Sequence, residues 1–83
     1  MFEKIVYISD HGVHIKLKEE TNVNLMNMHL VLEEGEKIAI CEVEYVKDSL
    51  VEARFIGEII DGHFYGGIIG KPSFNATIGL MHH

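Results

Sequence analysis

Leu50-Val51-Glu52-Ala53-Arg54-Phe55-Ile56-Gly57-Glu58-Ile59-Ile60, then Asp61-Gly62, then His63-Phe64-Tyr65-Gly66-Gly67-Ile68-Ile69, is the longest patterned stretch of the chain. Val51, Ala53 and Phe55 alternate with Glu52 and Arg54, and side chains two apart share one face of a strand. Asp-Gly between two such runs signals a tight hairpin, because a type I′ turn needs φ > 0 at both central residues. Beyond Ile56-Gly57 the pattern becomes apolar on both faces. Gly66-Gly67 inside the second run marks a bulge, a sharp bend or a close backbone contact. The stretch predicts a strand over Leu50 to Ile60, a turn, and a second strand over His63 to Ile69.

The same reading extends towards the N-terminus. Ile5 to Ile8 is short, β-branched and aromatic. Val13 to Lys18 alternates strictly, with Val13, Ile15 and Leu17 inward and His14, Lys16 and Lys18 towards water. In Lys37 to Val46, Cys41, Val43 and Tyr45 are expected inward and Glu42 and Glu44 outward. The first half of that run is apolar on both faces, which requires cover on both sides or a bulge that switches them. Asn22 to Leu32 reads as a loop followed by a strand. Asp10-His11-Gly12, Glu33-Glu34-Gly35-Glu36, Lys47-Asp48-Ser49 and Gly70-Lys71-Pro72-Ser73 supply the remaining breaks.

Together these runs predict an all-β chain: a small closed or nearly closed β-barrel of five to six mostly antiparallel strands. Gly57, Gly66, Gly67 and Gly70 are the expected corner positions, where strands bend to close. One domain is expected over residues 1–80. Residues 81–83 form a terminal tail, with His82 and His83 read as a tag remnant or a natural end.

Composition sets limits on function. Of 83 residues 47% are apolar and 24% charged, a globular balance. So small a domain buries only ~60% of the surface its unfolded chain exposes, so its core is thin and help from a neighbour is plausible. The net charge of −6 argues against a large nucleic-acid surface, which needs clustered Lys and Arg. No apolar run approaches the ~20 residues of a membrane span, and Met1-Phe2-Glu3-Lys4 does not open a signal peptide. With a single cysteine and none of these signals, a cytoplasmic location is expected.

No catalytic or cofactor constellation is legible, and no catalytic, cofactor-binding or metal residue is assigned. His11, His14, His29 and His63 are read as surface and turn histidines rather than a metal set. Cys41 is read as a buried structural thiol rather than a nucleophile. The acidic run Glu33, Glu34 and Glu36 is a solvated turn or a contact for a basic partner. Glu42, Glu44 and Glu52 line a wet face, with Glu44 and Glu52 opposed across the hairpin. Arg54, on the same face as Glu52, is expected to form a cross-strand ion pair within the barrel or across a subunit boundary. Ile56, Ile59, Ile60, Phe64, Tyr65, Ile68 and Ile69 give a two-sided apolar surface. Either the Asn22 to Leu32 segment covers it or a neighbouring subunit does. Arg54 and these seven residues form the candidate interface.

The run Arg54-Phe55-Ile56-Gly57-Glu58-Ile59 and the run Gly66-Gly67-Ile68-Ile69-Gly70-Lys71-Pro72-Ser73 carry a family resemblance. So do Phe2-Glu3-Lys4-Ile5-Val6-Tyr7-Ile8 and Asn24-Leu25-Met26-Asn27. Over nearly its whole length the chain resembles the N-terminal HAS barrel of HerA-like hexameric ATPases of the RecA/FtsK type, which translocate DNA. The resemblance implies homo-oligomerisation, a hexamer in a full-length parent, with neighbouring barrels packed in a ring. It also implies docking of an effector such as a nuclease, in DNA end processing or antiphage defence. Lys71-Pro72-Ser73 would lie where the barrel hands over to an ATPase core. ATP and magnesium would belong to that core, which these 83 residues lack, so no enzyme activity, cofactor, membrane contact or direct nucleic-acid binding is expected of them. The rival readings are a stand-alone adaptor that binds ATPase rings and an OB-like nucleic-acid module.

Overall fold

The computed structural model describes residues 1–68 and 70–81. Seven strands occur among them: β1 (Phe2–Ile8), β2 (Gly12–Leu17), β3 (His29–Glu34), β4 (Lys37–Lys47), β5 (Leu50–Ile60), β6 (His63–Tyr65) and β7 (Thr77–Leu80). They form one sheet in the order β1-β2-β5-β4-β3-β7, with every pairing antiparallel and β6 added to β5. No helix occurs among the described residues, so none could cross a membrane.

β5 explains the curl. One of its edges runs along β4 for its whole length. The other edge takes β2 over Leu50–Arg54 and β6 over Glu58–Ile60. The outer strands β1 and β7 approach one another across a seam. The result is the expected nearly closed barrel, with six strands on its main path and β6 as a short flap.

Two register shifts between β4 and β5 decide which side chains face in. The first lies between Ile40 and Cys41, where Gly57 opposes Ile40 but Phe55 opposes Cys41, leaving Ile56 as the extra residue. It answers the two-faced pattern of β4: the phase of β5 switches, so that buried Glu58 comes opposite buried Ala39. The second lies between Val43 and Tyr45 and leaves Glu44 unopposed. It corrects the expectation for Tyr45, which joins outward Glu52 and is 48% exposed instead of facing in.

Val13, Ile15 and Leu17 are buried as the alternation of β2 requires, and they meet Leu30, Leu32, Cys41, Val43 and Val51 in the core. The Asn22 to Leu32 segment is a loop then a strand, as expected. Its Leu25 is buried, the Asn27 N–H donates to the Val43 carbonyl (3.0 Å), and the Val43 N–H donates to the Met28 carbonyl (2.9 Å). The loop therefore covers the Val43 region of β4. Ile59 and Ile60 lie near the other end of that strand, opposite Ile38 and Lys37, so the loop is not their cover.

The Asp61-Gly62 turn has φ of 52° and 79°, both left-handed as a type I′ turn demands. Two expectations need correction beyond it. β6 ends at Tyr65, so the strand expected as far as Ile69 is only three residues long, and Gly66 and Gly67 lie outside it. The barrel also continues past Lys71-Pro72-Ser73. β7 pairs with β3, Ile78 opposite Leu32 and Leu80 opposite Leu30.

Candidate functional site

The β5–β6 hairpin carries most of the candidate interface. Phe64 stands opposite Ile59, and directly opposed residues share a face. Its ring lies against Gly57. A Cβ at that glycine would stand 2.5 Å from two ring carbons and 2.6 Å from the Tyr65 carbonyl, so only glycine leaves room. The outer side of the ring is open: Phe64 is 59% exposed and Tyr65 44%. Ile56, Ile59 and Ile60 are half-buried. Ile68 is packed against the core, Ile69 lies outside the described residues, and Arg54 stands on another part of the outer face.

That other part is polar and forms two rows across the sheet. One row runs Tyr7–His14–Glu52–Tyr45 through β1, β2, β5 and β4. The next runs Arg54–Glu42–His29 through β5, β4 and β3. His14 Nε2 lies 3.0 Å from Glu52 Oε1, and His29 Nε2 lies 3.4 Å from Glu42 Oε2. Arg54 donates through its Nη2 to Glu42 Oε1 at 3.0 Å, and its Nε lies 3.9 Å from Glu44. The arginine thus makes its cross-strand ion pair within the chain, with Glu42, and Glu44 lies just beyond. The register puts Glu42 directly opposite Arg54, and the bulge at Glu44 sets Glu52 against Tyr45, so Glu44 and Glu52 are not opposed across the hairpin as expected. No group of three His, Cys, Asp or Glu side chains among the described residues is placed to hold a metal ion.

A third cluster closes one end of the barrel. Glu58 has no solvent exposure, and Lys37 Nζ lies 3.2 Å from its Oε2. Lys37 also donates to the Gly70 carbonyl. Glu34 accepts hydrogen bonds from the Ser73 N–H (3.1 Å) and the Ser73 hydroxyl. Lys71 pairs with Asp10 at 3.1 Å. The segment from Gly70 to Ser73 is thereby strapped to the β3–β4 and β1–β2 hairpins. The two Ser73 hydrogen bonds, aided by Lys37, hold the Glu34 carboxyl below the usual carboxylate range. Sequence reading did not foresee the buried Glu58. Its only signal was an acid between Gly57 and Ile59 in a run otherwise apolar on both faces.

Cys41 is fully buried, and desolvation pushes its thiol up to about 12. A thiol so protonated is a poor nucleophile at neutral pH, in keeping with the structural reading. Comparisons with protein-family models, curated proteins and solved structures find no match to this chain.

Proposed function

We propose that this barrel is a protein-assembly module whose β5–β6 hairpin meets neighbouring copies of the same chain. The observation that carries the reading is the placement of the aromatic residues. The chain has seven, and none lies in the buried core. Five are exposed: Tyr7, Tyr45, Phe64, Tyr65 and Phe74. A small domain short of core would ordinarily bury its largest apolar side chains first. Aromatic residues held at the surface are instead what protein interfaces select.

The finer reading follows the resemblance: an N-terminal barrel of a HerA-like DNA-translocating ATPase, mediating ring assembly and docking an effector such as a nuclease. A ring repeats each contact by its symmetry, so one modest hairpin surface is enough to specify it. Full burial of one Phe side chain is worth about 1.5–3 kcal/mol, which sets the scale of a single contact.

Light scattering of the 83-residue protein and of Phe64→Ser and Ile60→Glu variants tests the module. The expected result is concentration-dependent assembly of the parent and smaller species for both variants, with circular dichroism unchanged. Assembly that survives both substitutions, or a parent that stays monomeric at every concentration, overturns the hairpin as a self-contact. The encoded sequence after His83 tests the finer reading: a Walker loop supports the ATPase parent, and an immediate stop favours the stand-alone adaptor.

A further inference from the structure

The polar rows on the far side of Arg54 border a shallow groove of about 410 Å³. Its walls include His14, Glu44, Tyr45, Glu52 and Arg54, and Ser9, His11 and Gly12 of the β1–β2 turn line it as well. We propose that this groove receives an arginine side chain from a partner protein.

Charge favours a cation. Two carboxylates, Glu44 and Glu52, line the groove beside one arginine and the imidazoles of His11 and His14, and a third carboxylate, Glu42, pairs with that arginine from outside the lining. Glu42 is used on both sides, by Arg54 through Oε1 and by His29 through Oε2. Glu44 and Glu52 each engage one oxygen only, Oε1 in both cases, so the second oxygen of each can accept a further N–H. A guanidinium has five donors in a planar fork, which suits two separate carboxylates better than a single ammonium does.

Shape favours a flat cation. Tyr45 lines the groove and is 48% exposed. The His14 ring, also in the lining, is in tilted contact with Tyr7, with centroids 4.9 Å apart. Aromatic faces at a polar site attract a guanidinium through the ring quadrupole. An anionic ligand is poorly served by the same groove. Arg54 is already held between two carboxylates, and the His11 and Gly12 N–H groups both donate to the Ser9 hydroxyl. The occupant is therefore chosen by sign, donor count and ring placement together, and none of these arguments uses the hairpin surface.

The test is an NMR titration of the 83-residue protein with a capped Gly-Arg-Gly peptide. The same peptide with citrulline in place of arginine, equal in shape and uncharged, is the control. Saturable shifts centred on His14, Tyr45 and Glu52 are expected with arginine and not with citrulline. A Glu44→Gln/Glu52→Gln variant is expected to bind about tenfold more weakly while keeping the parent spectrum elsewhere. The Phe64→Ser variant is expected to bind the peptide as the parent does, which separates this groove from the self-contact. Equal response to citrulline, shifts centred on Glu33 to Glu36, or unchanged affinity in the double glutamine variant would each overturn the proposal.

Discussion

Glu58 is a carboxylate with no solvent exposure in a barrel of only 83 residues. It is there because the bulge at Ile56 turns its side chain inward, and Lys37 supplies the opposite charge at 3.2 Å. Such a pair adds little against an apolar replacement, but losing the cation takes the opposite charge away from a carboxylate that stays buried. Lys37→Met is therefore expected to cost about 3 kcal/mol in denaturant unfolding. A Lys37→Met/Glu58→Met variant should recover most of that loss, and a double variant no better than the single would show that the pair is not coupled. Cys41 makes a second residue-scale case. Its thiol titrates at about 12 when folded against an ordinary value of 9.0. Above the ordinary value the unfolded chain loses a proton that the folded chain keeps. Stability is therefore undiminished below 9.0 and falls as pH rises through the window up to about 12. At mildly alkaline pH, alkylation of Cys41 should proceed only on addition of denaturant, as mass spectrometry would read.

The strap from Gly70 to Ser73 shows the same linkage with the opposite sign at the scale of an element. Its Glu34 anchor has a lowered carboxyl pKa in the folded chain. The stabilisation is thus fully present above the ordinary value of 4.5 and is lost as pH falls through the lower folded value. Protection of the Ser73 and Asn75 amides, their exchange compared with the unstructured rate at the same pH, should fall as the solution is acidified through that window. Ser73→Ala, which removes the hydroxyl but keeps the N–H, should weaken the dependence, and protection in the parent that does not change with acid would argue that Glu34 is not the anchor. The β5–β6 hairpin makes a steric prediction instead. Gly57→Ala must displace the Phe64 ring or the Tyr65 carbonyl, and overpacking of this kind costs about 1–3 kcal/mol, readable as a shifted unfolding midpoint. These elements also show what could be read in advance. Val13, Ile15 and Leu17, Val51 and Ala53, and the Asp61-Gly62 turn obeyed local rules, because strand period and left-handed φ are properties of a few neighbouring residues. Tyr45 and Glu58 did not, because each lies past a bulge whose position is set by the partner strand. The expected opposition of Glu44 and Glu52 failed for the same reason: which residues face one another across a hairpin is a matter of register, not of alternation. β7 escaped because its four residues, Thr77–Leu80, are too few to show a period and gain their strand from β3.

At the scale of the whole molecule that short strand has a disproportionate role. The chain has a radius of gyration of 11.9 Å, close to the ~12 Å expected of a compact domain this long, so it has no slack to rearrange. β7 occupies the outer edge of β3 and approaches β1 across the seam. Without it, Leu30 and Leu32, now fully or almost fully buried, would lose their neighbours Leu80 and Ile78, and buried Ala76 would go as well. A domain with a core of small aliphatic residues has only about 5–15 kcal/mol to lose. It also cannot leave a long, flat edge open without inviting aggregation. A chain ended after Ser73 is therefore expected to lose its cooperative unfolding transition and to aggregate, whereas one ended after Met81 should unfold as the full chain does. Circular dichroism through a thermal scan distinguishes the two. If the shorter chain keeps a sharp transition, β7 is an appendage and the barrel ends at Lys71-Pro72-Ser73, the boundary that the family resemblance implies. If it does not, any following domain must begin beyond Leu80, and the strap and β7 belong to the barrel's own closure.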